Sequence, residues 1–139
     1  MTDQKEHLFE VFDTLIRLKQ ECSCSIFSAC ELSDITVKQI NYLKVIDTSD
    51  EITFSRLAEI TSNSKPTITE MIRKLDHMGC VYRQSCPHDG RIHYIRLTGR
   101  GEKIARAEQR ALEQVIERLT ESLDDHEIDV LIEILRKVR

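Results

Sequence analysis

Glycine and proline are scarce in this chain of 139 residues: four glycines with none before Gly79, and two prolines with none before Pro66. The first half therefore lacks the strongest helix breakers, which predicts helices joined by short polar turns. No uninterrupted apolar run approaches the ~18 residues of a membrane span. The opening MTDQKEHLFE has neither the basic start nor the apolar middle of a secretion signal, so a cytoplasmic protein with no membrane partner is expected. Also missing are a glycine-rich phosphate loop, a nucleophile elbow and a C-x-x-C in a βαβ setting, and no catalytic residue or enzyme activity is expected. The five cysteines are an odd number, at 22, 24, 30, 80 and 86. Without an export signal they do not make a disulfide framework, and reduced thiols are the default.

Hydrophobic residues make up 40% of the chain, enough for one domain, or one domain with a helical extension. The net charge of -4 argues at first against a polyanionic partner, but the charge is unevenly distributed. Residues 63–100 hold seven basic side chains (Lys65, Arg73, Lys74, Arg83, Arg91, Arg96, Arg100) against three acidic ones (Glu70, Asp76, Asp89), a balance of +4, so the remainder carries -8. That asymmetry is a footprint expected of a site for nucleic acid, although a charged, solvated face would look the same in composition.

Apolar spacing and cap residues place the elements. Asp3 with Glu6 resembles a capping box ahead of Leu8, Val11, Phe12, Leu15 and Leu18, which follow at helical spacing. Thr36 with Gln39 forms a second box, opening a helix that runs to the polar cluster at residues 47–50. Ile52-Thr53-Phe54 is short and β-branched, a brief strand, and Ser55 to Thr61 makes a short third helix. After the turn Ser62-Asn63-Ser64, a fourth helix starts near Lys65 or Pro66 and stops at Gly79. Two β-forming arms, Cys80 to Ser85 and Arg91 to Leu97, flank the turn Pro87-His88-Asp89-Gly90. Thr98 caps a long fifth helix, and Asp124 with Glu127 opens the last. The expected fold is mainly α with a small β-hairpin wing: a winged helix-turn-helix.

On the fourth helix, at ~100° per residue, Ile68, Met71, Ile72 and Leu75 share one face while Pro66, Glu70, Arg73 and His77 lie opposite. A helix reading DNA offers N-terminal polar groups to base edges and charge to phosphates. Lys65, Thr67, Thr69, Arg73 and Lys74 fit that need, with Arg73 the candidate for a bidentate contact to guanine. Glu70 on the outward face would repel phosphate unless it accepts from a cytosine amino group or pairs with Arg73 or Lys74. At the hairpin tip Arg91 suits a narrow, negative minor groove. Asp89 is expected to orient Arg91 or a basic residue of the preceding helix, with a plain turn-stabilising aspartate as the simpler reading.

At these residues the chain resembles the multiple antibiotic resistance regulator (MarR) family of winged-helix transcription factors. The resemblance is carried by Asp89-Gly90-Arg91 with Leu97-Thr98, a D-x-R-x5-L-T pattern, and by Gly101 and Glu102 after it. It includes Leu57-Ala58, Thr67-Ile68-Thr69, Leu75 with Gly79, Ile35-Thr36 with Gln39, and Leu123-Asp124 with Glu127, in order along nearly the whole chain. It implies a homodimer, with residues 1-34 and 99-139 as a helical dimerisation region and residues 35-98 as the DNA-binding lobe. It further implies a pseudo-palindromic double-stranded operator, probed by Arg91 in the minor groove and by Thr67, Thr69 and Arg73 in the major groove. Gly90 stands where many members carry a second arginine, and Glu70 where a basic or neutral residue is common.

Members of the family bind small anionic or phenolic ligands or sense oxidants through cysteine, and the resemblance implies a regulator, read as a repressor, released in one of these ways. Cys22, Cys24, Cys30 and Cys86 are the candidate redox thiols; Cys80 is expected in the core. Residues 22 and 24 point ~200° apart in an ideal helix and cannot share a metal unless the helix has ended, so no metal site or cofactor is expected and inert thiols are the preferred reading there. Cys86, between Arg83 and Arg91 at the wing, could report directly on DNA binding. Two other functions fit less of the sequence: a winged helix used only for protein contacts, and a thiol enzyme built on Cys22 and Cys24.

Overall fold

The structure is a computed structural model that describes residues 3–29 and 35–138; Cys30 lies outside the described residues. Among the described residues seven helices and three short strands follow in the order α1 (Asp3–Ala29), α2 (Val37–Asp47), β1 (Ile52–Thr53), α3 (Phe54–Thr61), α4 (Lys65–His77), β2 (Val81–Ser85), β3 (His93–Leu97), α5 (Gly99–Ala105), α6 (Ala107–Ser122) and α7 (Asp125–Arg136). They form two compact units, one of Met1–Ser25 with Glu108–Arg139 and one of Ile26–Ala107.

The second unit is built on local signals that the side chains supply themselves. The Thr36 hydroxyl accepts from the Gln39 amide while the Gln39 side chain accepts from the Thr36 amide, closing the box that starts α2. Thr53 caps α3, Ser64 caps α4 and Thr98 caps α5, each accepting an amide of the first turn. One apolar core then forms from Leu43 and Ile46 of α2, Ile52, Leu57 of α3, Ile68, Ile72 and Leu75 of α4, Val81, Ile95 and Ile104 of α5. The strands make one antiparallel sheet in the order β1-β3-β2, with Ile52 opposite Ile95 and Val81 opposite Leu97. The expected hairpin is therefore the larger part of a three-stranded sheet, since Ile52 and Thr53 pair with the far edge of β3.

Cys22 and Cys24 both lie within α1, which continues to Ala29, so the helix has not ended between them. Two expectations need correction. Asp3 lies inside the first turn of α1 with Glu6, so it supplies negative charge to the helix start instead of capping it. The long helix after Thr98 is interrupted: Arg106 leaves helical geometry (φ -100, ψ 3), separating α5 from α6. The Arg106 side chain pairs with Asp47 at the end of α2, at 2.8 Å from Nη2 and 3.1 Å from Nε. That ion pair ties the break to α2, which periodicity alone could not reveal. Consequently this unit extends beyond residues 35–98, because α5 packs against α2 with Ile104 fully buried, and Phe27 of α1 packs on the same core.

The other unit comprises the first part of α1 with α6 and α7. Ala111 and Val115 are buried, but α7 has no buried residue, despite opening with the expected Asp124–Glu127 box. Leu8, Phe9, Phe12, Leu112, Ile116 and Ile134 are among its exposed large apolar side chains. No described helix is long and apolar enough to cross a membrane.

Candidate nucleic-acid interface

The turn before α4 sets how that helix is presented. Ser62 takes the left-handed conformation (φ 54), and Asn63 donates from Nδ2 to the Tyr42 hydroxyl of α2 at 2.7 Å. The chain thus leaves α3, pins itself to α2 and enters α4 through Ser64, whose hydroxyl accepts the Thr67 amide and hydrogen-bonds the Thr67 hydroxyl at 2.8 Å. Ile68, Ile72 and Leu75 are fully buried beneath α4. By the same rotation Lys65, Thr67, Thr69, Glu70, Arg73 and Lys74 are all exposed. Five of the candidate contacts therefore share the outer surface of one helix.

Arg73 and Glu70 are joined by two hydrogen bonds, Nη2 to Oε1 at 2.6 Å and Nε to Oε2 at 3.0 Å. The Arg73 hydrogen bond holds the Glu70 carboxyl below its ordinary value, with the charges of Arg73 and then Lys74 adding to it against a desolvation cost. The same bond raises Arg73. Glu70 is thus an anion already matched within the helix, the pairing alternative that its outward position left open.

α4 ends where Gly79 adopts φ 75, and the chain turns into the wing. Thr98 fastens this corner: its hydroxyl donates to the Gly79 carbonyl at 2.6 Å and accepts the Gly101 amide at 3.1 Å. Gly101 is required by contact, since a Cβ there would stand 2.0 Å from the Cys80 carbonyl oxygen. The Leu97-Thr98 and Gly101 positions of the wing motif are therefore the joint between sheet, α4 and α5.

At the wing tip the Cys86 amide donates to the Ile92 carbonyl at 2.9 Å, and the Ile92 amide to the Asp89 carbonyl at 3.1 Å. The Asp89 carboxylate accepts the Arg91 backbone amide at 3.0 Å. Asp89 thus shapes the turn through the backbone of Arg91 and forms no ion pair with its guanidinium among the described residues. Arg91 itself is exposed beside Phe54, Ser55 and His93.

The basic count overstates what is available to a polyanion. Arg96 is bound to the Asp50 carbonyl and to Gln84 at 2.8 Å, with Glu51 at 3.6 Å, and Arg100 is half-buried. Arg83, exposed on β2, lies over the Phe54 ring at 4.9 Å and is a further surface cation of the lobe outside the candidate contacts. Its signal was only its charge, because nothing in the sequence shows that β2 and the start of α3 are adjacent.

Cys86 is half-buried at the same tip. Its thiol is lowered from the ordinary value first by the His88 amide and then by the Asp89 amide, with the Tyr94 hydroxyl donating to the sulfur at 3.8 Å. Cys22 is half-buried and Cys24 exposed, two residues apart in one helix. Among the described residues no three His, Cys, Asp or Glu side chains gather as a metal site.

Two helices joined by a pinned turn, the second solvent-facing and followed by a sheet with a projecting hairpin, define a winged helix-turn-helix. The sequence profile of the MarR family matches residues 35–93. The transcriptional regulator HosA of Escherichia coli O111:H- is 30% identical over 108 residues, 78% of this chain and 80% of HosA. Among solved structures, S. aureus MepR in complex with DNA superposes with a TM-score of 0.70 at 22% identity, over 96% of each chain. Apo MarR from E. coli gives 0.54 at 26% identity, over 94% of this chain and 96% of that one. The chain belongs to the MarR family and is a transcriptional regulator of that family.

Proposed function

We propose that the protein is a sequence-specific DNA-binding regulator, acting as a homodimer on a pseudo-palindromic operator and in the sense of a repressor. The observation that carries this reading is the shared outer surface of α4, where Lys65, Thr67, Thr69, Arg73 and Lys74 are all exposed while the opposite face is buried. Arg91 on the projecting tip supplies the minor-groove contact, and Asp89 holds the turn that presents it. The exposed apolar side chains of α1, α6 and α7 support the dimer, because a monomer seldom leaves so much apolar surface facing water. The same fold in a MepR–DNA complex agrees with this use. The test is binding to a random-sequence duplex over a range of salt: the logarithm of affinity should fall linearly with the logarithm of salt as counterions are released. No binding at low salt would instead favour a winged helix used for protein contacts.

Release by a small anionic or phenolic ligand or by thiol oxidation belongs to the same proposal, and the geometry at the wing favours Cys86 among the thiols. Alkylation at neutral pH should label Cys86 well before buried Cys80 and should weaken duplex binding. Full binding by protein labelled completely at Cys86 would remove this thiol from the switch.

A further inference from the structure

The Glu70–Arg73 pair divides the five N–H donors of one guanidinium between protein and solvent. Glu70 takes the Nε hydrogen and one Nη2 hydrogen. Three donors remain, both on Nη1 and the second on Nη2, and one from each nitrogen lies along the end of the planar group. That end is the fork that matches O6 and N7 of guanine. The side chains of Arg73 and Glu70 are 64% and 52% exposed, and among the described residues the two bonds to Glu70 are the contacts that orient the guanidinium on the helix surface. A free arginine on the same face would swing between base edges and phosphates; one gripped along its Nε–Nη2 edge presents its end alone.

Building on the DNA-binding reading above, we propose that Glu70 is a specificity-determining positioning residue: it fixes the Arg73 guanidinium end-on for guanine and disfavours phosphate contacts that carry no sequence information. Its negative charge on the outward face, unfavourable for affinity to any duplex, becomes the source of discrimination. Non-specific binding is driven by phosphate neutralisation and loses from an added anion, whereas the guanine contact gains from a guanidinium already oriented.

The test uses the full-length protein, a duplex recovered by selection from a random pool, a panel of single-base changes in that duplex, and a random duplex. Wild-type binding to the selected duplex establishes the DNA-binding reading by itself; no binding to any duplex at low salt overturns that reading and this proposal together. Glu70→Gln keeps the size of the side chain and removes its charge. It should bind random duplex several-fold more tightly, and should lose roughly tenfold discrimination at one guanine per half-site. Arg73→Ala should lose discrimination at that same base pair, and adding Glu70→Gln to Arg73→Ala should change discrimination no further. Circular dichroism melts of each variant identify any that fails to fold, and Glu70→Asp, which keeps the charge but shortens its reach, then reports on the same base pair with the same expected loss. If Glu70→Gln leaves discrimination at every position intact, or lowers it equally with and without Arg73, Glu70 does not act through Arg73 and the proposal fails.

Discussion

Arg91 and Arg96 both belong to the wing, yet only one of them is available to a partner. Arg96 is drawn into the lobe by the Asp50 carbonyl, Gln84 and Glu51, while Arg91 is exposed at a tip closed by the backbone hydrogen bonds of Cys86, Asp89 and Ile92. Arg91→Ala should therefore leave fold and assembly untouched and weaken binding to a selected duplex by roughly tenfold, measured by fluorescence anisotropy. Unchanged affinity with the wing still ordered would strike Arg91 from the contact surface. At this scale the sequence was legible where a residue acts on its own neighbourhood. Ile68, Ile72 and Leu75 were expected inward and are fully buried, and Arg73 and Lys74 were expected outward and are exposed. Partners distant in the chain were not legible: Arg83 on Phe54, Asn63 on Tyr42 and Arg106 on Asp47 depend on which elements become adjacent.

The elements begin and end largely where their cap residues said they would. Thr36, Thr98 and Asp124 cap as expected, and Gly79 stops α4 with the positive φ that favours glycine. Periodicity was less informative where one apolar stripe crosses an interruption. Ile104, Ala111 and Val115 are buried at helical spacing across the break, while the Arg106 pairing with Asp47, which ties the end of α5 to α2, leaves no mark in that spacing. The tightest requirement lies at the start of α5, where Gly101 lies against the Cys80 carbonyl. Backbone sits on the far side of that contact, so neither partner can yield by a simple rotamer change. Gly101→Ala should destabilise the protein by about 1–3 kcal/mol or more in urea unfolding, while Gly90→Ala, with open space around its Cβ, should not do so by contact. Equal stability of Gly101→Ala and wild type would mean that α5 can move off the sheet at little cost.

For the whole molecule, α7 is the informative helix because it is capped and amphipathic but has no buried residue. Val130, Leu131 and Ile134 line an apolar recess on it together with Leu123. A second copy of the chain is the occupant that the proposed function assigns to this apolar surface, so Ile134→Asp should give a monomer by light scattering. It should also bind a selected duplex far more weakly while its lobe still unfolds cooperatively; a dimer of unchanged affinity would place the interface elsewhere. The acidic balance outside residues 63–100 fits such a division of labour, with the negative charge lying mainly outside the segment that carries the candidate contacts.

If paired copies of α4 and its wing read a specific duplex, recovery of bound duplexes from a random DNA pool should return inverted repeats. Their half-site centres should lie roughly one helical turn apart, with a guanine in each half-site that depends on Arg73. Recovery of no enriched sequence, or of single half-sites with no symmetric partner, would contradict that proposal.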